Sequence, residues 1–167
     1  MIAPSVSKGT GSIFVPVDPD YILVKEAING AGGSFVSGAW RQRAFNSKTF
    51  DDGNHTTLDS NQIILSPGIY RFAGSAPAFL CERHQVRLQN ISANQTVAMG
   101  TSELATASGV VQGRSFVSGQ IAAIEPVIVE LQHKCTQTRA NDGFGNPSLN
   151  GLDVYSVIEF WWRPLPT

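Results

Sequence analysis

Apolar residues along the chain recur in short alternating runs, and clusters of Gly, Pro, Asn, Asp and Ser separate the runs. A period of two sends successive side chains to opposite faces of an extended strand, whereas a helical stripe repeats every three to four residues. The runs that fit are SIFVPV, FVSGAWRQRAF, NQIIL, GIYRFAGSAPAF, HQVRLQNI, TVAMGTSEL, RSFVSGQIAAI, VIVELQHKCTQ and DVYSVIEFWWR. Between them NGAGG, DDGN, SPG, SGVVQGR and NDGFGNPSLNG supply residues that tolerate positive φ or end a ladder. The pattern predicts an all-β domain, a β-sandwich in which sequential Greek-key or jelly-roll wiring closes most strand edges. In QIAAIEPVIVELQ the residues Ile121, Ile124, Ile128 and Leu131 also fit a helix. Pro126 and the β-branched Val127, Ile128 and Val129 decide for two strands broken at the proline. The pentapeptide SFVSG occurs at Ser34 and again at Ser115, a match short enough to be coincidence rather than an internal repeat.

The last run departs from simple alternation. Val154, Ile158, Phe160 and Trp162 fall on one parity, and Tyr155, Val157 and Trp161 on the other. An antiparallel strand with one wet face is polar on that side, so a strand apolar on both sides is covered twice. One face serves the domain's own core. The other carries large aromatics of the kind enriched where partners meet, and Tyr155, Val157 and Trp161 are therefore the candidate oligomer-interface residues.

Residues 1–23 read as an extended amino-terminal arm and 24–167 as the jelly-roll domain. The segment up to about Asp20 is small-residue-rich, nearly uncharged and carries Pro4, Pro16 and Pro19. Such an arm is ordered where it docks on a larger body. Charged residues make up only 15% of the chain and the net charge is -1, so the footprint of a nucleic-acid binder is missing. No run approaches the roughly 18 apolar residues of a membrane helix, and the amino terminus lacks the basic start and apolar stretch of an export leader. Neither nucleic acid nor membrane is an expected partner, and the chain is expected to be made in a cytoplasm with its thiols reduced. On that expectation the sequons at Asn54, Asn90 and Asn94 are ordinary turn residues.

Two cysteines and two histidines raise the composition of a structural zinc site: Cys81 and His84 in LCERHQVRLQNI, His133 and Cys135 in ELQHKC. Strand parity turns His84, His133 and Cys135 toward the core with Val86, Leu88, Val129 and Leu131, but sends Cys81 to the opposite face unless a bulge intervenes near Glu82. The specific zinc patterns set each ligand pair in a tight turn, C-x2-C or H-x3-H, and neither occurs. Two buried neutral histidines satisfied by backbone or by each other are the expectation, with no metal and no cofactor. FDDGNH and RANDGFGN lack the calcium-loop spacing and its terminal Glu, and no G-x-S-x-G elbow singles out a nucleophile. The expectation is a protein that is not an enzyme.

The segments GSFVSGAWRQRAFN, LSPGIYRFAGSAPAF, RHQVRLQNIS, GTSE, RSFVSGQ, ELQHKCTQTRANDGFG and DVYSVIEFWW, in that order from Gly33 to Trp162, resemble a β-domain family of tailed-bacteriophage virion proteins. That family is similar to the trimeric jelly roll of C1q and tumour necrosis factor. The resemblance implies a homotrimer with the last strand on the inner sheet near the threefold axis. It also implies a place on the virion surface beside other capsid or tail proteins. Members at a fibre tip follow a long shaft, whereas about thirty residues precede the likeness here, which points to a capsid decoration protein, head spike or turret. The alternative is a receptor- or glycan-binding tip protein contacting a host surface, with Arg139 and Phe144 in TRANDGFGN as candidate loop contacts.

Overall fold

The computed structural model describes residues 18–106, 108 and 110–167. Among the described residues there are twelve strands: β1 (Asp20–Asn29), β2 (Arg41–Gln42), β3 (Ser47–Asp51), β4 (Thr56–Asp59), β5 (Gln62–Leu65), β6 (Gly68–Phe79), β7 (Glu82–Asn90), β8 (Gln95–Met99), β9 (Glu103–Ala105), β10 (Gln112–Ala123), β11 (Val127–Cys135) and β12 (Leu152–Arg163). They form a five-stranded sheet, β10-β6-β12-β1-β3, and a larger sheet ordered β4-β5-β11-β7-β8, in which β2 also flanks β11 and β9 also flanks β7. Every ladder is antiparallel, and β12 lies between β6 and β1, far from both in sequence. This is a jelly-roll β-sandwich.

The inner faces meet in one core. Ile22, Val24, Tyr70, Phe72, Ile158 and Phe160 come from the five-stranded sheet, and Ile63, Leu65, Val86, Leu88, Val129 and Leu131 from the other. The sequence pattern finds β5, β6, β7, β10, β11 and β12 to within about two residues, whereas the single run TVAMGTSEL divides at residues 100–102 into β8 and β9. Pro126 does break the chain between β10 and β11. The two SFVSG copies are not equivalent, since Ser115–Gly119 lies inside β10 whereas 34–38 is a turn after an isolated Phe35–Arg139 bridge. FVSGAWRQRAF yields only the two-residue β2, because Gly38 adopts positive φ and the chain turns there. SIFVPV lies outside the described residues. The arm boundary at residue 23 is corrected: β1 begins at Asp20, and Ile22 is fully buried in the core.

Two poles follow from the ladder directions. Asp20 faces Trp162 and Ile69 faces Arg163, so the chain enters the sandwich beside the carboxy-terminal end of β12. There His55 Nε2 contacts Asp20 Oδ2 at 2.7 Å while its ring stacks on Trp162 at 3.6 Å, and Trp162 Nε1 donates to the Pro67 carbonyl. Gly68 is required here, because a Cβ would come within 1.9 Å of the Trp162 indole nitrogen. At the distal pole the segments around 30–40 and 136–151 close the sandwich, held by backbone bonds between Phe35 and Arg139 and between Gly33 and Phe144.

Under that distal cap lies a buried ion pair. Arg43 is fully buried, with Nη2 at 2.7 Å from Glu26 Oε2, Nε at 2.6 Å from Ser156 Oγ and Nη2 donating to the Phe144 carbonyl at 2.9 Å. Burial presses the guanidinium pKa down and the Glu26 carboxylate opposes it. Its plane also covers the Phe144 ring at 4.2 Å, so one side chain ties β1, β12 and the distal loop together. Removing one partner of such a pair strands the other charge, a loss of about 3–5 kcal/mol. Glu26→Ala is accordingly expected to lower the unfolding free energy by about that amount. The double variant Glu26→Leu/Arg43→Met is expected to regain most of it, and both are read by urea denaturation.

Candidate functional site

The outward face of the five-stranded sheet carries large aromatic residues among polar ones, Arg71, Ser118, Gln120 and Glu159. Phe50 on β3, Tyr21 on β1 and Trp161 on β12 form a row, with ring centroids 6.1 and 6.0 Å apart, and Phe116 stands across the sheet on β10. Phe50 is 53% and Phe116 55% exposed in the single chain, while Val157 and Trp161 are half-buried between them. Outward positions of β6 are small, Ala73 and Ser75, and with Gly74 they leave a trough of about 360 Å³ between Phe116 and Val157. A second trough of about 700 Å³ runs between Trp161, Arg71 and Gln120. The Tyr21 hydroxyl donates to Glu159 Oε1, and burial together with that carboxylate pushes its pKa up to about 12. The ridges and troughs form a patterned face of the kind a second apolar surface fits.

Of the three interface residues expected from strand parity, Val157 and Trp161 face outward and Tyr155 does not. Between Lys25 and Ala27 the β1 partner advances two positions while β12 advances three, from Val157 to Val154, so β12 carries one extra residue. This bulge reverses the alternation, and Tyr155 and Ser156 are both buried. The Tyr155 hydroxyl donates 2.6 Å to the Gly30 carbonyl, and its ring packs where any Cβ at Gly145 would clash. Val154, expected inward, is instead 42% exposed. No sequence signal marked the bulge, and none marked Tyr21, Phe50 or Phe116 as members of the face.

The loop contacts are committed within the chain. Arg139 pairs with Asp142 and lies 5.6 Å from the Phe79 ring centroid, and Phe144 stacks on Phe35 at 4.3 Å while Arg43 covers its ring. Both side chains shape the distal cap.

The four residues of the metal question come together, though not as a metal site. Leu80 and Glu82 both adopt positive φ, which turns Cys81 inward beside Cys135 and corrects its expected outward parity. The thiols are free and share a hydrogen bond, which together with burial pushes the Cys81 pKa up. His84 Nδ1 lies 3.0 Å from His133 Nε2, so the rings satisfy each other once, leaving His84 Nε2 and His133 Nδ1 without partners. Gly113 on β10 makes the room, since a Cβ there would lie 2.9 Å from His84 Nε2. Among the described residues no group of three or more His, Cys, Asp or Glu is placed to hold a metal ion.

These observations fit comparisons with known proteins. Over 87% of this chain and 96% of the other, the structure is similar to the globular domain of zebrafish complement 1qA protein, with a TM-score of 0.51 and 16% identity. Murine APRIL is similar over 86% of this chain and 100% of its own, with a TM-score of 0.53 and 7% identity. The fold is a C1q/TNF-type jelly roll. No protein-family model matches the sequence and no curated protein matches it.

The histidine pair generates a pH dependence. Burial lowers the His84 pKa from 6.5 to about 4 and holds that of His133 well below its ordinary value. The unfolded chain therefore takes up protons that the folded chain refuses. Stability is full above the unfolded value of about 6.5 and falls as pH drops from there toward about 4. Thermal unfolding followed by circular dichroism is expected to show this slope, and His84→Gln/His133→Gln is expected to flatten it.

Proposed function

We propose that this chain is a non-enzymatic structural protein, a homotrimeric knob attached to the surface of a tailed-bacteriophage particle as a capsid decoration protein, head spike or turret. The observation that carries the reading is the aromatic outer face of the five-stranded sheet, which a monomer leaves in water and a set of copies buries. Burying one Phe or Trp side chain contributes about 1.5–3 kcal/mol, so a few per copy suffice to hold an assembly. The number three and the particle come from the resemblance of the ordered sequence segments to virion knobs. The neighbours in fold supply the jelly-roll frame on which such a knob is built.

Polarity within the sandwich supports the same arrangement. The chain enters at one pole, beside Trp162, and the loop closed by Arg43 and Phe144 lies at the other. Copies packed through the five-stranded sheet send their amino-terminal arms to a common end, where other capsid or tail proteins receive them, and present their distal caps to solvent. A receptor- or glycan-binding tip protein is the second reading, and the cleft described below favours it as an added role rather than a replacement.

Sedimentation equilibrium of the purified chain is expected to give a trimer, and Trp161→Glu or Phe116→Glu to give monomers or aggregates. A well-folded monomeric wild type overturns the assembly. Separately, deleting residues 1–19 is expected to leave the trimer intact and abolish attachment to particles in a reconstitution assay; retained attachment removes the arm from the proposal.

A further inference from the structure

The outer face of the larger sheet is hollowed at its distal end into a cleft of about 590 Å³. Its floor crosses β11 and β7 through Lys134, Gln85, Thr136 and Arg83, whose registers place Lys134 opposite Gln85. Trp40, just before β2, walls one side, and Leu104 on β9, paired with Arg83, walls the other. Three inter-strand spacings of about 4.8 Å separate the walls, a span of about 14 Å. The cleft lies on the sheet that does not carry the aromatic face, at the pole opposite the start of β1 at Asp20.

Trp40 is held before any ligand arrives. The Arg87 guanidinium lies 4.3 Å from its ring centroid and is itself fixed by Gln132 Oε1 at 3.0 and 2.7 Å and by Thr96 Oγ1 at 3.1 Å. A rigid indole wall saves the ordering cost of binding. The side chains of Arg83 and Lys134 enter no ion pair or side-chain hydrogen bond among the described residues. These two cations outnumber Glu103, the acidic residue of the lining, on a chain whose net charge is -1. His84, whose Nε2 has no hydrogen-bond partner, also contributes to the lining.

We infer that this cleft binds an acidic saccharide. A sugar ring offers a C–H face for Trp40 and Leu104 and a rim of hydroxyls for the Gln85 amide oxygen, held in place by the 2.7 Å bond from Gln85 Nε2 to the Gly100 carbonyl, and its carboxylate or sulfate pairs with Arg83 and Lys134. An inorganic anion has no use for the two apolar walls. An extended peptide finds no free backbone edge on the floor, which is the face of paired strands, so strand addition is not available to it. The site does not depend on the trimer or on the particle, and its test is independent of theirs.

The experiment is titration of the full chain with tetragalacturonate, sialyllactose and a sulfated disaccharide, each against its neutral counterpart, followed by tryptophan fluorescence and calorimetry. At least one acidic saccharide is expected to saturate, with its neutral counterpart binding roughly tenfold more weakly or worse. Trp40→Ala and Lys134→Gln are each expected to lower that affinity roughly tenfold, with sedimentation and thermal unfolding unchanged. Added salt weakens the binding. The inference is overturned if no acidic saccharide saturates by about 10 mM, if hexaglutamate competes as well as the sugar, or if Trp40→Ala leaves the affinity unchanged.

Discussion

The extra residue in β12 organises both ends of the molecule. β12 is the middle strand of its sheet, hydrogen-bonded to β6 and β1, so a reversal of its alternation sets what each neighbour must cover. Below the bulge Ile158 and Phe160 enter the apolar core and Trp161 faces out. At the bulge Tyr155 and Ser156 both turn inward, delivering two hydroxyls to the distal cap, one to Gly30 and one to Arg43. A strictly alternating strand would put one of these two side chains in solvent.

The distal cap is a polar solution to an awkward place. Arg43 brings a charge under cover and satisfies it with Glu26, Ser156 and the Phe144 carbonyl, and the same loop lies over Phe35 and the two thiols. Hydrogen-bonded ions of this kind add little net stability but penalise any other packing of the loop, because a displaced partner would leave a bare charge. The histidine pair next to it follows the same logic at lower stakes, with one bond shared and two ring nitrogens unpaired. Composition alone made these four residues resemble a metal site. Their packing turns His84 onto His133 and Cys81 beside Cys135, so that the four side chains pair off two by two rather than converge on one point.

The two sheets divide labour. The five-stranded sheet offers aromatic ridges and small-residue troughs on its outer face, suited to a copy of itself. The larger sheet offers cations, amides and a braced indole, suited to a polar ligand. The two faces lie on opposite sides of one sandwich, and the start of β1 at Asp20 and the cleft sit at opposite poles.

Strand identity was legible from the chain because alternation is a local property: β5 to β7 and β10 to β12 follow from period-two patterning, β8 and β9 were read as one run, and the Pro126 break follows from a missing amide hydrogen. The outward aim of Val157 and Trp161 was legible for the same reason. β1, β3 and β4 were missed, since DYILVKEAIN and SKTFD mix charges into the run and gain their strand character from neighbours. Tyr155 was misplaced because a bulge is a disagreement between two strands, invisible in either alone. The assembly face needed Phe50, Tyr21 and Phe116 from three strands, and the cleft needed Trp40 and Leu104 from opposite ends of a row. The sequence by itself determined the fold class and the faces of the strands wherever alternation runs unbroken, which depend on nearest neighbours along the chain. Only the tertiary structure decided which side chains share a site, because register and bulges bring together residues as distant in sequence as Tyr21 and Glu159, 138 positions apart.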